Sequence, residues 1–258
     1  MEAPERRRKR VLVLGGWSPG PLEVLQSRFA SDVDFEEPSI PMPPAGLRWC
    51  LNPFWVLLLL VVFGLLPAWL SAPPALAQED GTWAWIINCV VLLVVTPFLL
   101  RFLVAGLVWF SIQDGVGTAT RAIRQFEPDV VLAFSWGGGL ACWLLAKQGW
   151  AGPTILLAPT VKAMARICCC SPPKLPRPTA LGPVHVFQPE DDPFCPASQV
   201  EVLRAAGCEV HLLRDSHVLL KHGSVSEIAT CLEQLLSLSV APVQAKTGFA
   251  YAAVGSDD

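Results

Sequence analysis

The sequence predicts an α/β fold: a mostly parallel, doubly wound sheet of about six strands, interrupted by an inserted two-helix membrane hairpin. Two observations support this prediction. Short apolar runs alternate along the chain with segments of helical spacing, which is typical of a parallel sheet with helices on both faces. In addition, 52% of the 258 residues are hydrophobic and only 16% are charged. This apolar surplus is concentrated in residues 50–112 and exceeds what one core of this size absorbs.

The predicted strands are short and mainly apolar. A strand that is buried on both faces of a parallel sheet has a continuous apolar run rather than an alternating one. The predicted strands occupy 11–14, 32–35, 130–134, 154–157, 184–187 and 208–213. Helical patterns separate or follow them at 21–30, 113–126, 137–147, 197–206 and 224–238. We therefore expect one domain formed by residues 11–44 and 113–241, a basic segment at 1–10, and a disordered tail at 242–258.

The insertion at 45–112 begins after a group of prolines and contains two long apolar segments. Residues 54–71 carry no charge, and residues 85–112 carry only Arg101, so each can supply the roughly 20 residues of a membrane helix. Two spans return the chain to its original side, where 11–14 and 130–134 can share one sheet. The alternative is that these segments are buried core helices or an apolar substrate-binding cap.

The charges that flank the two segments predict their orientation. The connecting loop, 72–84, contains two acidic residues and no lysine or arginine. Basic residues lie at the opposite ends of the segments, at Arg48, Arg121, Arg124 and in the run 6–10. The positive-inside bias therefore predicts a cytosolic N-terminus and a cytosolic α/β domain. No signal peptide is recognisable, because two glycines interrupt the apolar run at 11–14. Arg101, about 24 Å along the second helix, is expected at the cytosolic interface.

Charge and cysteine content exclude several classes of protein. A net charge of −3 gives no reason to expect a nucleic-acid partner, and no cofactor or metal site is predicted. The nine cysteines are odd in number and form no zinc-like C-x-x-C pairs, which argues against a disulfide framework and a structural zinc site. Most are expected to be reduced core thiols. The run Cys168, Cys169 and Cys170 is a candidate for palmitoylation, which the sequence leaves open.

The strongest chemical signal is a serine between the apolar run 130–134 and a glycine-rich helix start. A nucleophile at such a corner needs small neighbours, because the backbone is strained and strand and helix approach closely. Ala133 and Gly137 meet that need around Ser135. The backbone N–H of Trp136 would then point towards a developing oxyanion, assisted by the helix N-terminus. The alternative is an ordinary serine helix cap.

An acid and a histidine follow the last two predicted strands. Asp191 and Asp192 come after 184–187, and His217 comes after 208–213. His217 is preferred to His222 because it directly follows a strand. Two other histidines, His185 and His211, lie inside the strands and are expected to be hydrogen-bonded core or edge residues.

These residues resemble the G-x-S-x-G nucleophile elbow and the serine, acid, histidine order of the α/β-hydrolase family, with Ala133 where glycine is usual. The resemblance covers most of the chain outside 45–112 and is closest to dienelactone-hydrolase-like or serine-esterase-like members. It implies the catalytic set Ser135, Asp192 and His217, with Asp191 as the second choice for the acid. It also implies a second oxyanion donor after the first strand. The backbone N–H of Trp17 is the preferred donor, although Gly15-Gly16 replaces the usual histidine-glycine.

The resemblance implies a hydrolase acting on an ester or thioester. The predicted membrane anchor suggests that the substrate is an amphipathic acyl or lipid-like molecule at the cytosolic face of a membrane. Two alternatives remain: a catalytically silent α/β-hydrolase fold serving as a membrane scaffold or assembly subunit, and an acyltransferase that uses the same triad. The glycines at 15, 16 and 20 lack the lysine and spacing of a phosphate-binding loop. Residues 158–181, rich in proline and cysteine, are expected to form a short lid.

Overall fold

The computed structural model describes residues 7–43, 96–176, 182–196 and 198–238. In these residues six strands form one sheet in which every pair is parallel, in the order β2-β1-β3-β4-β5-β6. The strands are β1 Lys9–Leu14, β2 Val33–Glu36, β3 Val130–Phe134, β4 Thr154–Leu157, β5 Val184–Pro189 and β6 Glu209–Leu213. The predicted six-stranded parallel sheet is therefore confirmed.

The helices of the described residues cover both faces of the sheet. They are α1 Leu22–Phe29, α2 Thr96–Phe126, α3 Trp136–Ala146, α4 Val161–Ile167, α5 Ser198–Ala205 and α6 His222–Leu238. Side chains of α2, α3, α4 and α5 pack in one hydrophobic cluster, and those of α1 and α6 pack in the other. The strands supply alternate residues to the two clusters, so β1, β3 and β4 need apolar side chains on both faces.

The strand order creates a crevice between β1 and β3. The chain passes from β1 to β2 on one side and returns through α2 to β3 on the other, with Val11 paired to Val130. In open parallel sheets, ligands bind beyond the carboxyl ends of the strands at such a reversal of strand order. Leu14 and Phe134 are the last residues of these two strands, so the loops that follow them meet at this position.

Helix α2 is one continuous helix of 31 residues. The sequence predicts a division at 112, with 96–112 in the second membrane span and 113–126 in the domain. The structure has no break there, because both halves carry one stripe of buried side chains, at Val104, Val108, Ile112, Val116 and Ala119. Arg101, expected at a membrane interface, donates to the carbonyl of Arg166 at 2.6 Å.

The outward face of the first half of α2 is apolar and exposed. Its exposed side chains include Phe98, Phe102, Leu103, Leu107 and Phe110. Among the described residues, α2 is the one helix long and apolar enough to cross a membrane, over Leu100–Phe126, although 39% of its apolar window is buried within the protein. A core helix passes the same test. The predicted first span, 54–71, and the start of the second lie outside the described residues.

The segment expected as a lid is partly integrated into the domain. Within 158–181, α4 buries Val161, Met164 and Ala165 against its neighbours. Cys169 and Cys170 are exposed beyond its end, whereas Cys168 is partly buried. Residues 177–181 and the tail at 242–258 lie outside the described residues.

Candidate active site

Ser135 occupies a strained corner between β3 and α3. Its φ of 52° and ψ of −111° are rare for a residue with a side chain, and such a backbone costs about 1–3 kcal/mol. Hydrogen bonds hold the corner: Ser135 N donates to Leu157 O at 2.9 Å, and Gly139 N donates to Ser135 O at 3.0 Å. Thr160 contributes its N–H and its hydroxyl to the same Ser135 carbonyl.

Two glycines beside Ser135 have no room for a side chain. A Cβ on Gly137 would lie 2.0 Å from the carbonyl oxygen of Leu14, because the start of α3 presses against the end of β1. A Cβ on Gly16 would lie 2.8 Å from the Cβ of Ser135. The loop after β1 therefore passes directly alongside the serine.

Ser135, His217 and Asp192 form a hydrogen-bonded series across the carboxyl ends of three strands. Ser135 Oγ lies 2.8 Å from His217 Nε2, and His217 Nδ1 lies 2.7 Å from Asp192 Oδ2. Asp191, the second choice for the acid, is exposed, as is His222. The structure thus brings together the three residues that the sequence preferred and leaves the two alternatives outside.

The environment of Asp192 keeps its carboxyl group ionised. Its side chain is fully buried, and burial alone would raise its pKa. The hydrogen bond and charge of His217, the N–H group of Phe194 at 2.8 Å and the thiol of Cys195 outweigh burial and hold the pKa below its usual value. A charged Asp192 favours the proton on His217 Nδ1, which leaves a lone pair on Nε2 facing Ser135.

The His217 ring is fixed by aromatic neighbours and by the loop that carries it. Phe194 contacts it edge-on at 5.0 Å and Phe134 lies 5.6 Å away, measured between ring centroids. The buried carboxylate of Asp215 accepts from the N–H of Ser216 at 2.7 Å and of Lys221 at 2.9 Å. The sequence analysis gave Asp215 no role. Its only sequence signal is an aspartate followed by serine after a strand, which is typical of a turn.

The two expected oxyanion donors belong to neighbouring residues. The rings of Trp17 and Trp136 lie 5.4 Å apart between centroids, and the Trp17 indole donates to the carbonyl of Pro43 at 3.0 Å. Trp136 is the first residue of α3, where a backbone N–H has no acceptor within the helix. In the turns, loops and caps of the described residues, neither backbone N–H donates to a backbone carbonyl.

A cavity of about 280 Å³ lies beside the loop after β1, the loop whose Gly16 approaches Ser135. Gly15 and Gly16 form one wall, and the segment after β2 forms the other, with Glu37, Pro38, Ser39, Ile40 and Met42. The sequence predicts the prolines of this segment only as the boundary of the insertion. Pro38 also lines this cavity.

Cys195 lies close to Asp192 and His217 but is a poor metal ligand. Its Sγ donates to the carbonyls of Ala158 at 3.1 Å and Pro159 at 3.2 Å. Burial, followed by the nearby charge of Asp192, raises the pKa of this thiol. A thiol that stays protonated does not bind a metal, so this group of three residues is better suited to acid–base chemistry.

No family model and no curated protein matches the sequence. Among solved structures, the chain is similar to the ydeN gene product of B. subtilis, with 13% identity over 89% of this chain and 99% of that one, and a TM-score of 0.50. It is also similar to esterase PE8, at 13% identity over 88% and 93% of the chains with a TM-score of 0.46. It is similar as well to a proposed hydrolase of the alpha/beta superfamily from Xanthomonas campestris, with 16% identity over 90% of this chain and 98% of that one, and a TM-score of 0.46. At these identities the likeness establishes the parallel α/β fold alone.

Proposed function

We propose that this chain is a serine hydrolase of the α/β-hydrolase family that cleaves an ester or thioester through an acyl-enzyme on Ser135. The observation that carries the proposal is the series from Ser135 Oγ through His217 to the buried Asp192, with separations of 2.8 and 2.7 Å. A serine hydroxyl is a weak nucleophile unless an adjacent base removes its proton. Here the base is adjacent and its orientation is fixed.

In the proposed reaction, Ser135 Oγ attacks the acyl carbonyl while His217 Nε2 accepts the hydroxyl proton. The backbone N–H groups of Trp136 and Trp17 donate to the oxygen that becomes negatively charged. The tetrahedral intermediate then collapses and breaks the bond to the leaving alcohol or thiol, which takes the proton from His217. A water molecule, deprotonated by His217, attacks the acyl-enzyme, and the acid product leaves as the proton returns to Ser135.

Two features favour an enzyme over a silent scaffold. The strained backbone of Ser135 costs free energy, which a scaffold has no reason to retain. The fully buried Asp192 carboxylate accepts hydrogen bonds from His217 and from two backbone N–H groups. This arrangement fixes the orientation of the His217 imidazole, which a purely structural core residue would not need to do. The absence of any hydrolysis by the folded wild-type protein would instead support the scaffold.

The proposed anchor is the hairpin at 45–112. Since Val104 and Val108 pack against the domain, the membrane-embedded part of the second span precedes them. The exposed Phe98, Phe102 and Phe110 then lie at the bilayer surface, where aromatic side chains are favoured. In this arrangement the domain is cytosolic, and an amphipathic acyl substrate reaches Ser135 from the membrane. Membranes washed with alkaline carbonate should retain the full chain, and its release into the supernatant contradicts the anchor.

The activity is tested with the full chain in detergent and a series of p-nitrophenyl esters and acyl thioesters of increasing chain length. We expect turnover by the wild-type protein and none above background for Ser135→Ala. The matched control is Ser27→Ala, which removes an exposed hydroxyl on α1 and should leave turnover unchanged. Hydrolysis that survives in folded Ser135→Ala excludes this serine as the nucleophile.

A further inference from the structure

A cluster of two histidines and two glutamates lies away from Ser135, at the edge of the sheet. His185 is on β5, Glu209 and His211 are on β6, and Glu227 is on α6. Residues two apart on a strand share a face, and His185 is paired directly with Glu209. His185, Glu209 and His211 therefore project together on the face covered by α6. The proposed hydrolysis uses none of them.

The carboxylate of Glu209 lies between the two imidazole rings. Its Oε2 is 3.4 Å from His185 Nδ1, and its Oε1 is 3.5 Å from His211 Nε2. Neither contact has hydrogen-bond geometry, and both ring nitrogens are buried without a hydrogen-bond partner among the described residues. The sequence analysis expected both histidines to be hydrogen-bonded, and at these two atoms that expectation is wrong. Because an unpaired buried polar atom is costly, the two nitrogens indicate a missing partner.

The spacing of these atoms suits a metal ion. Zinc binds imidazole nitrogen and carboxylate oxygen at about 2.0–2.2 Å in a tetrahedral arrangement, which separates neighbouring ligand atoms by about 3.4 Å. The separations of 3.4 and 3.5 Å, each from a different oxygen of Glu209, are close to that value, and the ligand atoms of His185, Glu209 and His211 all lie within 4.8 Å of one another.

The surroundings provide access and further negative charge. A cavity of about 570 Å³ borders the cluster and has room for a water molecule as fourth ligand. Glu227 Oε1 lies 3.3 Å from His211 Nδ1, on the other side of that ring. A carboxylate in this position fixes the orientation of a metal-bound histidine and increases its basicity.

We propose that His185, Glu209 and His211 bind a divalent transition-metal ion of the zinc class, with Glu227 orienting His211. The ion joins β5 to the edge strand β6 and thereby stabilises the two strands from whose carboxyl ends Asp192 and His217 follow. His185 precedes the end of β5 by four residues, about 13 Å along the strand, so the ion takes no part in the chemistry at Ser135. The site is structural, and it stands whether or not Ser135 is a nucleophile.

The test uses the full chain in detergent, stripped with a chelator, and zinc chloride as the probe. Calorimetric titration should give one saturable site per chain, and a hundredfold excess of Zn²⁺ over its dissociation constant should raise the melting temperature by about 5–10 °C. His185→Gln and His211→Gln should each weaken binding by at least tenfold, as should Glu209→Gln. The matched control, Glu233→Gln, removes an exposed carboxylate of α6 and should leave binding unchanged.

Two outcomes overturn the proposal. The first is the absence of saturable Zn²⁺ binding by the wild-type protein. The second is unchanged binding in the folded His185→Gln and His211→Gln variants, which would assign the ion to other ligands such as the thiols of Cys168, Cys169 and Cys170. Cobalt(II) distinguishes these ligand sets, because thiolate ligands add a charge-transfer absorption that nitrogen and oxygen ligands lack.

Discussion

Gly16 and Ser135 approach so closely that a Cβ on the glycine would lie 2.8 Å from the Cβ and 3.3 Å from the Oγ of the serine. The same Cβ would lie 3.1 Å from the backbone oxygen of Phe134. A side chain at position 16 must therefore displace the loop after β1 or the strained corner. The close approach explains the glycine at position 16 and links the predicted oxyanion loop to the nucleophile.

The first prediction concerns Gly16→Ala. We expect the variant to fold and to lose about 100-fold or more in kcat/KM, because small displacements of reacting groups have effects of this size. The measurement is ester hydrolysis by the full chain. Gly117→Ala is the matched control, since a Cβ there meets nothing within 4 Å. It should keep its activity and gain up to about 1 kcal/mol of stability, because alanine is the better helix former.

The second prediction separates the neighbouring aspartates. Asp192→Asn keeps the shape of the side chain but removes the charge that fixes the His217 tautomer, so kcat should fall by about 10⁴-fold. Asp191→Asn changes an exposed carboxylate and should alter kcat by less than about threefold. Comparable losses in the two variants would contradict the assignment of Asp192 as the acid.

The third prediction is a pH dependence of stability. The pKa of Asp192 is lower in the folded protein than its ordinary value of 3.8, so the unfolded chain binds its proton more readily. The resulting stabilisation is present above that value and is lost as the pH falls through the lower, folded pKa. Denaturant unfolding from about pH 5 to pH 3 should show a steeper loss of stability for wild type than for Asp192→Asn. Equal slopes would show that Asp192 has no lowered pKa.

The fourth prediction concerns the loop that holds His217. Asp215→Ala removes a buried carboxylate that accepts from the N–H groups of Ser216 and Lys221. It should reduce the free energy of unfolding by about 2–4 kcal/mol and lower kcat. Glu201→Ala, which changes an exposed carboxylate on α5, should have little effect on either quantity. An Asp215→Ala protein with normal kcat would show that the loop needs no such support.

The sequence predicts the sheet well where burial alone determines the pattern. The runs at 130–134 and 154–157 have the same bounds as β3 and β4, because strands buried on both faces tolerate only apolar residues. The end of β5 was missed because Gln188 and Pro189 are not typical strand residues. Pro189 is nevertheless paired with Leu213 of the edge strand. The continuity of α2 was missed because a change in composition at 112 was interpreted as a change in structure.

The sequence predicts which residues form the candidate site, but it does not predict the long-range contacts that surround them. Ser135 directly follows a predicted strand, and Asp192 and His217 lie in the loops that follow two others. They are recognisable because parallel strands bring such loops to one edge. The proximity of Gly16 to Ser135 and the unpaired ring nitrogens of His185 and His211 depend on how distant segments pack. No local pattern encodes these relationships.

The central claim, that Ser135 is an activated nucleophile, is tested most directly by mass spectrometry of the full chain after reaction with a fluorophosphonate. Such a reagent modifies a serine whose proton is removed by an adjacent base. We expect one adduct per chain, located on Ser135, and a much slower reaction in the His217→Ala variant. The absence of an adduct on the folded protein, or an adduct on another serine at an undiminished rate in Ser135→Ala, would contradict the claim.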